Sequence, residues 1–175
     1  MIKTNSKFGV SLRRVSLVLL AAALAGSAVA ESRGAKGQDN ALPFKGSSSG
    51  LNIADSFDPV AGIAYGHIDG EGEATHLGHF TVHGDVGVVV ATGIPHGTWT
   101  LTAANGDQLF LDMTGYGIDD HHGFGQFTVT GGTGRFEGAS GYYEQIITFE
   151  FPLGTADVMG YTDVFEGTIT LATGH

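Results

Sequence analysis

Near neutral pH the side chains best suited to move protons or hold metal ions are histidines, and this chain has eight, seven of them between His67 and His122. His76, His79 and His83 fall on one run, Ala74–His83, whose alternation predicts a strand. His79 and His83 share a face of it, but at ~3.3 Å per residue they stand about 13 Å apart, too far to hold one ion between them. A metal site would need ligands from neighbouring strands, and neither a metal nor another cofactor is expected. His76 has the opposite parity and lies on the side of Phe80 and Val82. If that side is the interior, His76 is a candidate catalytic group, a neutral imidazole acting as general base or hydrogen-bond donor. Asp119-Asp120-His121-His122 reads as a solvated acidic loop, because adjacent side chains diverge.

Two strand carboxylates are weighed in the same way. Glu144 shares parity with Tyr142 and Ile146, and Asp112 with Phe110 and Thr114. A carboxylate projecting into a cavity loses hydration and its pKa rises towards the range of a general acid, whereas one facing water keeps its ordinary value. Glu144 joins His76 as the second catalytic candidate. No serine sits in a nucleophile-elbow context, so hydrolase chemistry has no support. The glycine-rich run Gly131–Gly138 lacks the Lys-Ser/Thr pair of a phosphate loop, misses the dinucleotide spacing at Glu137, and is followed by no helix. Its glycines suit a tight corner, with Arg135 and Phe136 packing or pinning it.

The elements that must position these groups are short strands. Glycine makes up 29 of 175 residues, which argues against a helical bundle, since each mid-helix glycine costs roughly 1 kcal/mol against alanine. Runs of period-2 alternation recur at Leu51–Phe57, Gly62–Ile68, Ala74–His83, Val86–Ala91, Thr98–Ala103, Gln108–Thr114, Phe124–Thr130, Tyr142–Phe151 and Phe165–Leu171. Asn105-Gly106 between Trp99–Thr102 and Leu109–Leu111 is a strong hairpin signal, and Asp58-Pro59-Val60-Ala61-Gly62 is a second turn. Eight or nine such strands in one domain predict a sandwich or a closed antiparallel barrel, and closure has the advantage of removing unpaired edges. The strand from Tyr142 is apolar on both faces, which fits a filled interior on one side and a loop or a neighbouring subunit on the other.

Composition narrows the function. The chain has no cysteine, so disulfide scaffolds, thiolate metal sites, cysteine nucleophiles and lipoprotein anchors are excluded. Lys3, Lys7, Arg13 and Arg14 precede an apolar run from Val15 to Ala25, and Ala28-Val29-Ala30 supplies the small residues of a processing site. The run is shorter than the ~20 residues needed to cross a bilayer, so residues 1–30 read as a signal peptide and the protein as exported, to the periplasm or beyond the cell. Residues 31–50 read as a flexible polar leader ending in Gly46-Ser-Ser-Ser-Gly50, and residues 51–175 as the β domain. Without its first 30 residues the chain keeps four basic against eighteen acidic residues, a charge of −14. Such a surface repels phosphate backbones and anionic lipid, so nucleic acid is not an expected partner. An outer-membrane barrel would need strands of about 9–11 residues with a continuous apolar outer row; most runs here are shorter, and Thr98, Thr100 and Thr102 make one face polar. Stable membrane insertion is not expected.

The run Thr130-Gly-Gly-Thr-Gly-Arg-Phe-Glu-Gly-Ala-Ser-Gly-Tyr142 resembles the glycine-rich turn of the allene oxide cyclase and dirigent barrel superfamily. Ala74–Thr81, Thr102–Phe110 and Phe165–Thr170 also look like exported bacterial members of that group. The resemblance implies an all-β, antiparallel, eight-stranded closed barrel with an apolar cavity, often oligomeric, whose characterised relatives guide cyclisation or radical coupling of a hydrophobic substrate without a cofactor. The catalytic motifs of those relatives do not map onto this sequence residue by residue. The expected protein is therefore an exported barrel binding a hydrophobic small molecule and steering cyclisation or isomerisation. His76 and Glu144 would act on the substrate, Tyr65 and Tyr142 would orient it, and Phe80, Trp99 and Phe127 would form the apolar wall. The rival expectation is a non-enzymatic exported ligand carrier or surface component whose outer faces mediate self-association.

Overall fold

The computed structural model describes residues 40–150 and 157–172. Eight antiparallel strands close into one barrel in chain order: β1 (Leu42–Asp58), β2 (Ile63–Ala74), β3 (Gly78–Val89), β4 (Ile94–Ala103), β5 (Gln108–Gly117), β6 (His122–Gly132), β7 (Ser140–Glu150) and β8 (Val158–Thr170). Each strand pairs with its sequence neighbours, and β1 closes the ring by pairing with both β2 and β8, from Leu42↔Ile169 to Ile53↔Val158 on the β8 side. The proposed signal peptide and residues 31–39 of the leader lie outside the described residues, as does Phe151.

Three expectations are corrected by this arrangement. The leader does not extend to residue 50: Leu42–Gly50 is the first half of the 17-residue strand β1, hydrogen-bonded on both edges. Its serines and glycines read as a linker because they carry no apolar pattern, yet Phe44 within them is fully buried. Next, the separate runs Ala74–His83 and Val86–Ala91 are not two strands, because β3 continues through Gly84 and Gly87. Strand lengths also exceed the expected short runs, at 10 to 17 residues.

Glycines inside strands have a packing reason. Gly84 and Gly97 face the interior on either side of Trp99, and a Cβ at either position would run into the indole. The two anticipated turns form as read. Asn105-Gly106 joins β4 to β5 with Gly106 at φ 89°, and Asp58 accepts backbone N–H bonds from Val60 (2.8 Å) and Ala61 (3.0 Å), which also lower its pKa.

The core is aromatic. Phe127 stacks on Tyr143 (4.7 Å between centroids, 7° between planes), Trp99 meets Phe127 edge-on at 5.4 Å, and Phe165 contacts Tyr143, Phe44 and Phe80. One barrel end is plugged by Leu77 and by Phe136, which sits in a 3₁₀ turn, Gly134–Phe136, between β6 and β7. Arg135 pins this plug: its Nη2 donates to the Leu77 carbonyl at 3.0 Å and its guanidinium lies 4.8 Å from the Phe136 ring centroid. The interior is apolar, whereas the outer face of β2 and β3 carries Asp69, Glu71, Glu73, His79, His83 and Asp85. Along these two strands the side chains thus alternate between apolar inside and charged outside.

Candidate functional site

The interior holds one polar patch, built where β7, β8 and β1 meet. Period-2 alternation along β8 puts Tyr161, Asp163 and Phe165 on the inner face, and the β1 register sets Ser48 directly across from Asp163. The Ser48 backbone N–H donates to Asp163 Oδ1 at 3.0 Å and its hydroxyl donates to Oδ2 at 2.5 Å. Gln145, from β7, lies alongside the carboxyl. Asp163 is 5% exposed and is the single buried charged or polar side chain of the described core outside the tyrosines. Burial pushes its pKa up to about 6, with the hydrogen bonds from Ser48 and Gln145 offsetting part of the desolvation.

Two tyrosines flank this carboxyl. Burial raises the Tyr161 phenol to about 12, and burial next to Asp163 pushes the Tyr143 phenol well up. The Tyr161 hydroxyl lies near Ser48, but it closes no hydrogen bond of good geometry, although the side chain is only 3% exposed. Gly70 makes room for it, because any side chain there would collide with the hydroxyl. Phe80, Trp99 and Phe127 form the surrounding apolar wall with Ile68, Val82 and Ile147. The free space among these groups is about 20 Å³, the room of one water molecule.

Of the residues singled out by sequence, Phe80, Trp99 and Phe127 face the interior as expected. The other four do not join them. His76 is exposed in the β2–β3 turn at φ 62°, because the chain reverses at 75–77 instead of running on as a strand, and Leu77 takes the inward position. Glu144 and Tyr142 share a face as read, but it is the outer one, since Tyr143 and Ile147 occupy the core. There the Tyr142 hydroxyl donates to Glu144 Oε1 at 2.8 Å and accepts from Gln126 Nε2 at 2.9 Å. Tyr65 is also on the outside, beside a second, open groove of about 380 Å³ over Gly87 that Ile63, Val89, His96, Asp55 and Asp85 also line. Asp112 faces out as well.

The remaining histidines decorate the outer wall. His67 Nδ1 lies 2.8 Å from Asp55, a hydrogen bond that raises its pKa, and His83 Nδ1 lies 2.7 Å from Asp69. Asp119 accepts the backbone N–H of His121 and His122 and contacts His122 Nδ1, so this loop is a capped turn and its carboxyl is held below the usual range. Among the described residues no three His, Asp or Glu side chains converge as metal ligands would.

Sequence reasoning missed Ser48, Gln145, Tyr161 and Asp163. A signal existed for Asp163: it lies between Tyr161 and Phe165 on one face of a strand, a carboxylate in an aromatic row. Ser48 had none, being one of three serines flanked by glycines.

The fold and site define a closed, antiparallel, eight-stranded barrel with a buried carboxyl on an aromatic wall. No family model and no curated protein matches the sequence. Among solved structures, a pterocarpan synthase dirigent protein is similar at 14% identity with a TM-score of 0.48, over 80% of this chain and 98% of that one.

Proposed function

We propose that this is an exported barrel that binds a hydrophobic small molecule against the Asp163 patch and steers its cofactor-free cyclisation or isomerisation by moving a proton. The observation that carries the reading is the pairing of a buried carboxyl, held by Ser48, with a buried phenol that closes no hydrogen bond of good geometry, in an otherwise apolar interior. Structural cores seldom keep such groups without use, and a carboxyl tuned near neutrality can both accept and return a proton. Asp163 is the acid–base group in this reading, with Ser48 fixing its rotamer. Tyr161 donates to a polar atom of the ligand, and Phe80, Trp99 and Phe127 hold the apolar body. The residues of the Gly131–Gly138 corner and the eight-strand closure support membership of the allene oxide cyclase and dirigent barrel group, and the basic, apolar and small-residue order of positions 3–30 supports export.

The ~20 Å³ interior must widen to take a ligand, because a typical organic guest needs about 300 Å³ or more. Trp99, the one tryptophan of the chain, lies in the wall that must move and reports on it. Native mass spectrometry of gently purified protein, followed by ligand titration of the Trp99 fluorescence, tests the reading. A co-purifying apolar molecule that shifts the emission, with turnover lost in Asp163→Asn, is the expected result; an empty protein with an indole indifferent to apolar ligands sinks it. The filled interior favours a second reading, a non-enzymatic exported protein acting through its outer faces, and that negative result would select it.

A further inference from the structure

On the outside of β2, β3 and β4 the register sets the side-chain positions in a square of three rows. Ile63, Val89 and Ile94 form the row nearest the β3–β4 turn, Tyr65, Gly87 and His96 the middle row, and His67, Asp85 and Thr98 the third. The centre of the square is Gly87, which has no side chain, and the gap it leaves is the open groove of about 380 Å³. The backbone does not demand glycine there, since its φ is not left-handed. A Cβ would stand 3.3 Å from Ile63 Cγ2 and 3.4 Å from the Tyr65 ring, a contact that two surface side chains can relax, whereas Gly84 and Gly97 yield their space to the buried Trp99. A glycine inside a strand costs stability, and one that keeps a surface hollow open marks a place where something else comes close. The hollow has the size of an organic ligand, while the interior leaves about 20 Å³.

The geometry points to a second binding site in this groove, for an organic cation that carries an apolar or aromatic body. Each edge of the square supplies one part of the recognition. Ile63 and Val89 offer an apolar end, with Ile94 40% exposed beside them. The Tyr65 ring, 44% exposed, stands across Gly87 from His96 and presents a face to a flat body or to the cation itself. Asp55 and Asp85 also line the groove, and no Lys or Arg does. Asp55 already holds His67 Nδ1 at 2.8 Å. Asp85 is the carboxylate left to a ligand, because its side chain is 75% exposed and its ion-pair partner, His83 Nε2, is 3.7 Å away, outside hydrogen-bond range. Lys45 and Arg135, the basic residues among those described, are engaged at the plugged end, with Glu166 and with the Leu77 carbonyl. The field over the groove is therefore negative at neutral pH, which draws cations in and keeps anions out. This site is separate from the Asp163 patch, which lies inside the barrel wall.

Titration of isotope-labelled protein with phenethylammonium, followed by amide chemical shifts, tests the assignment. Saturable shifts centred on Tyr65, Gly87 and His96 are expected, with a Kd of about 1 mM or below for so small a probe. Phenethyl alcohol, its neutral counterpart, is expected to bind about three- to tenfold more weakly, and phenylacetate not to bind. Asp85→Asn brings the ammonium down to the level of the alcohol and leaves the alcohol unchanged, Tyr65→Ala weakens both, and Gly87→Val fills the hollow and abolishes binding. Far-ultraviolet dichroism checks that each variant is folded, and if Gly87→Val is not, the two exposed positions carry the test. Shifts absent around Gly87, shifts confined to the Ser48–Asp163 interior, equal affinity for ammonium and alcohol, or undiminished binding by folded Asp85→Asn would each overturn the inference.

Discussion

Asp163 concentrates the electrostatics of the interior in one residue. Its carboxyl is raised from 3.8 to about 6 by burial, so the folded chain binds a proton between those values that the unfolded chain has released. Stability contributed by the protonated form is therefore complete below about pH 4 and falls as pH rises towards 6. Two pKa units correspond to on the order of 3 kcal/mol. Urea unfolding across pH 4 to 7 is expected to show this loss in the wild type and not in Asp163→Asn, and parallel profiles for the two proteins would refute it. His67 works in the same direction at higher pH, since its raised pKa contributes stability below the ordinary histidine value that is lost as pH climbs through the folded one. Its pair with Asp55 is solvent-exposed, so the contribution is small.

At the scale of elements, the 3₁₀ turn between β6 and β7 carries more weight than its three residues suggest. Phe136 is fully buried in the barrel end and held there by the Arg135–Leu77 hydrogen bond, which ties this turn to the one between β2 and β3. Phe136→Ala opens a cavity that the surrounding strands cannot collapse into, and a loss of about 3–5 kcal/mol is expected in thermal or urea unfolding. This element was legible from its glycines and its basic–aromatic pair, as were the Asn105-Gly106 hairpin and the Asp58 turn, because turn chemistry is local. Strand limits were not. Interior glycines such as Gly84 look like breaks until the ring that occupies their space is known, and a Gly-Ser run looks like a linker until both its edges find partners. The site split along the same line. Its apolar wall followed from strand parity, but the polar patch is a product of register between the first and last strands, and nothing near Ser48 in sequence announces Asp163. His76 was misplaced for a local reason, a turn beginning at Thr75 where alternation seemed to continue.

For the whole molecule, ring closure decides more than shape. Every neighbouring pair from β1·β2 to β7·β8 is a hairpin that can form as soon as its own residues are available, whereas β1·β8 joins Leu42 to Ile169 across the length of the domain. Hydrogen bonds of that seam are the last affordable ones kinetically, and Asp163 acquires Ser48 only when they form. In pulse-labelled refolding, amides of the β4–β5 hairpin are expected to gain protection before those of the β1–β8 seam; simultaneous protection would count against this order.

Until its final strand is delivered, the chain therefore displays the unpaired edge of β1 and has no complete interior. A polypeptide that emerges from its N-terminal side has a built-in delay, set by topology, before its interior can close. The same seam that closes the ring thus completes the Asp163–Ser48 pair, so the interior and its buried carboxyl come into being in one step.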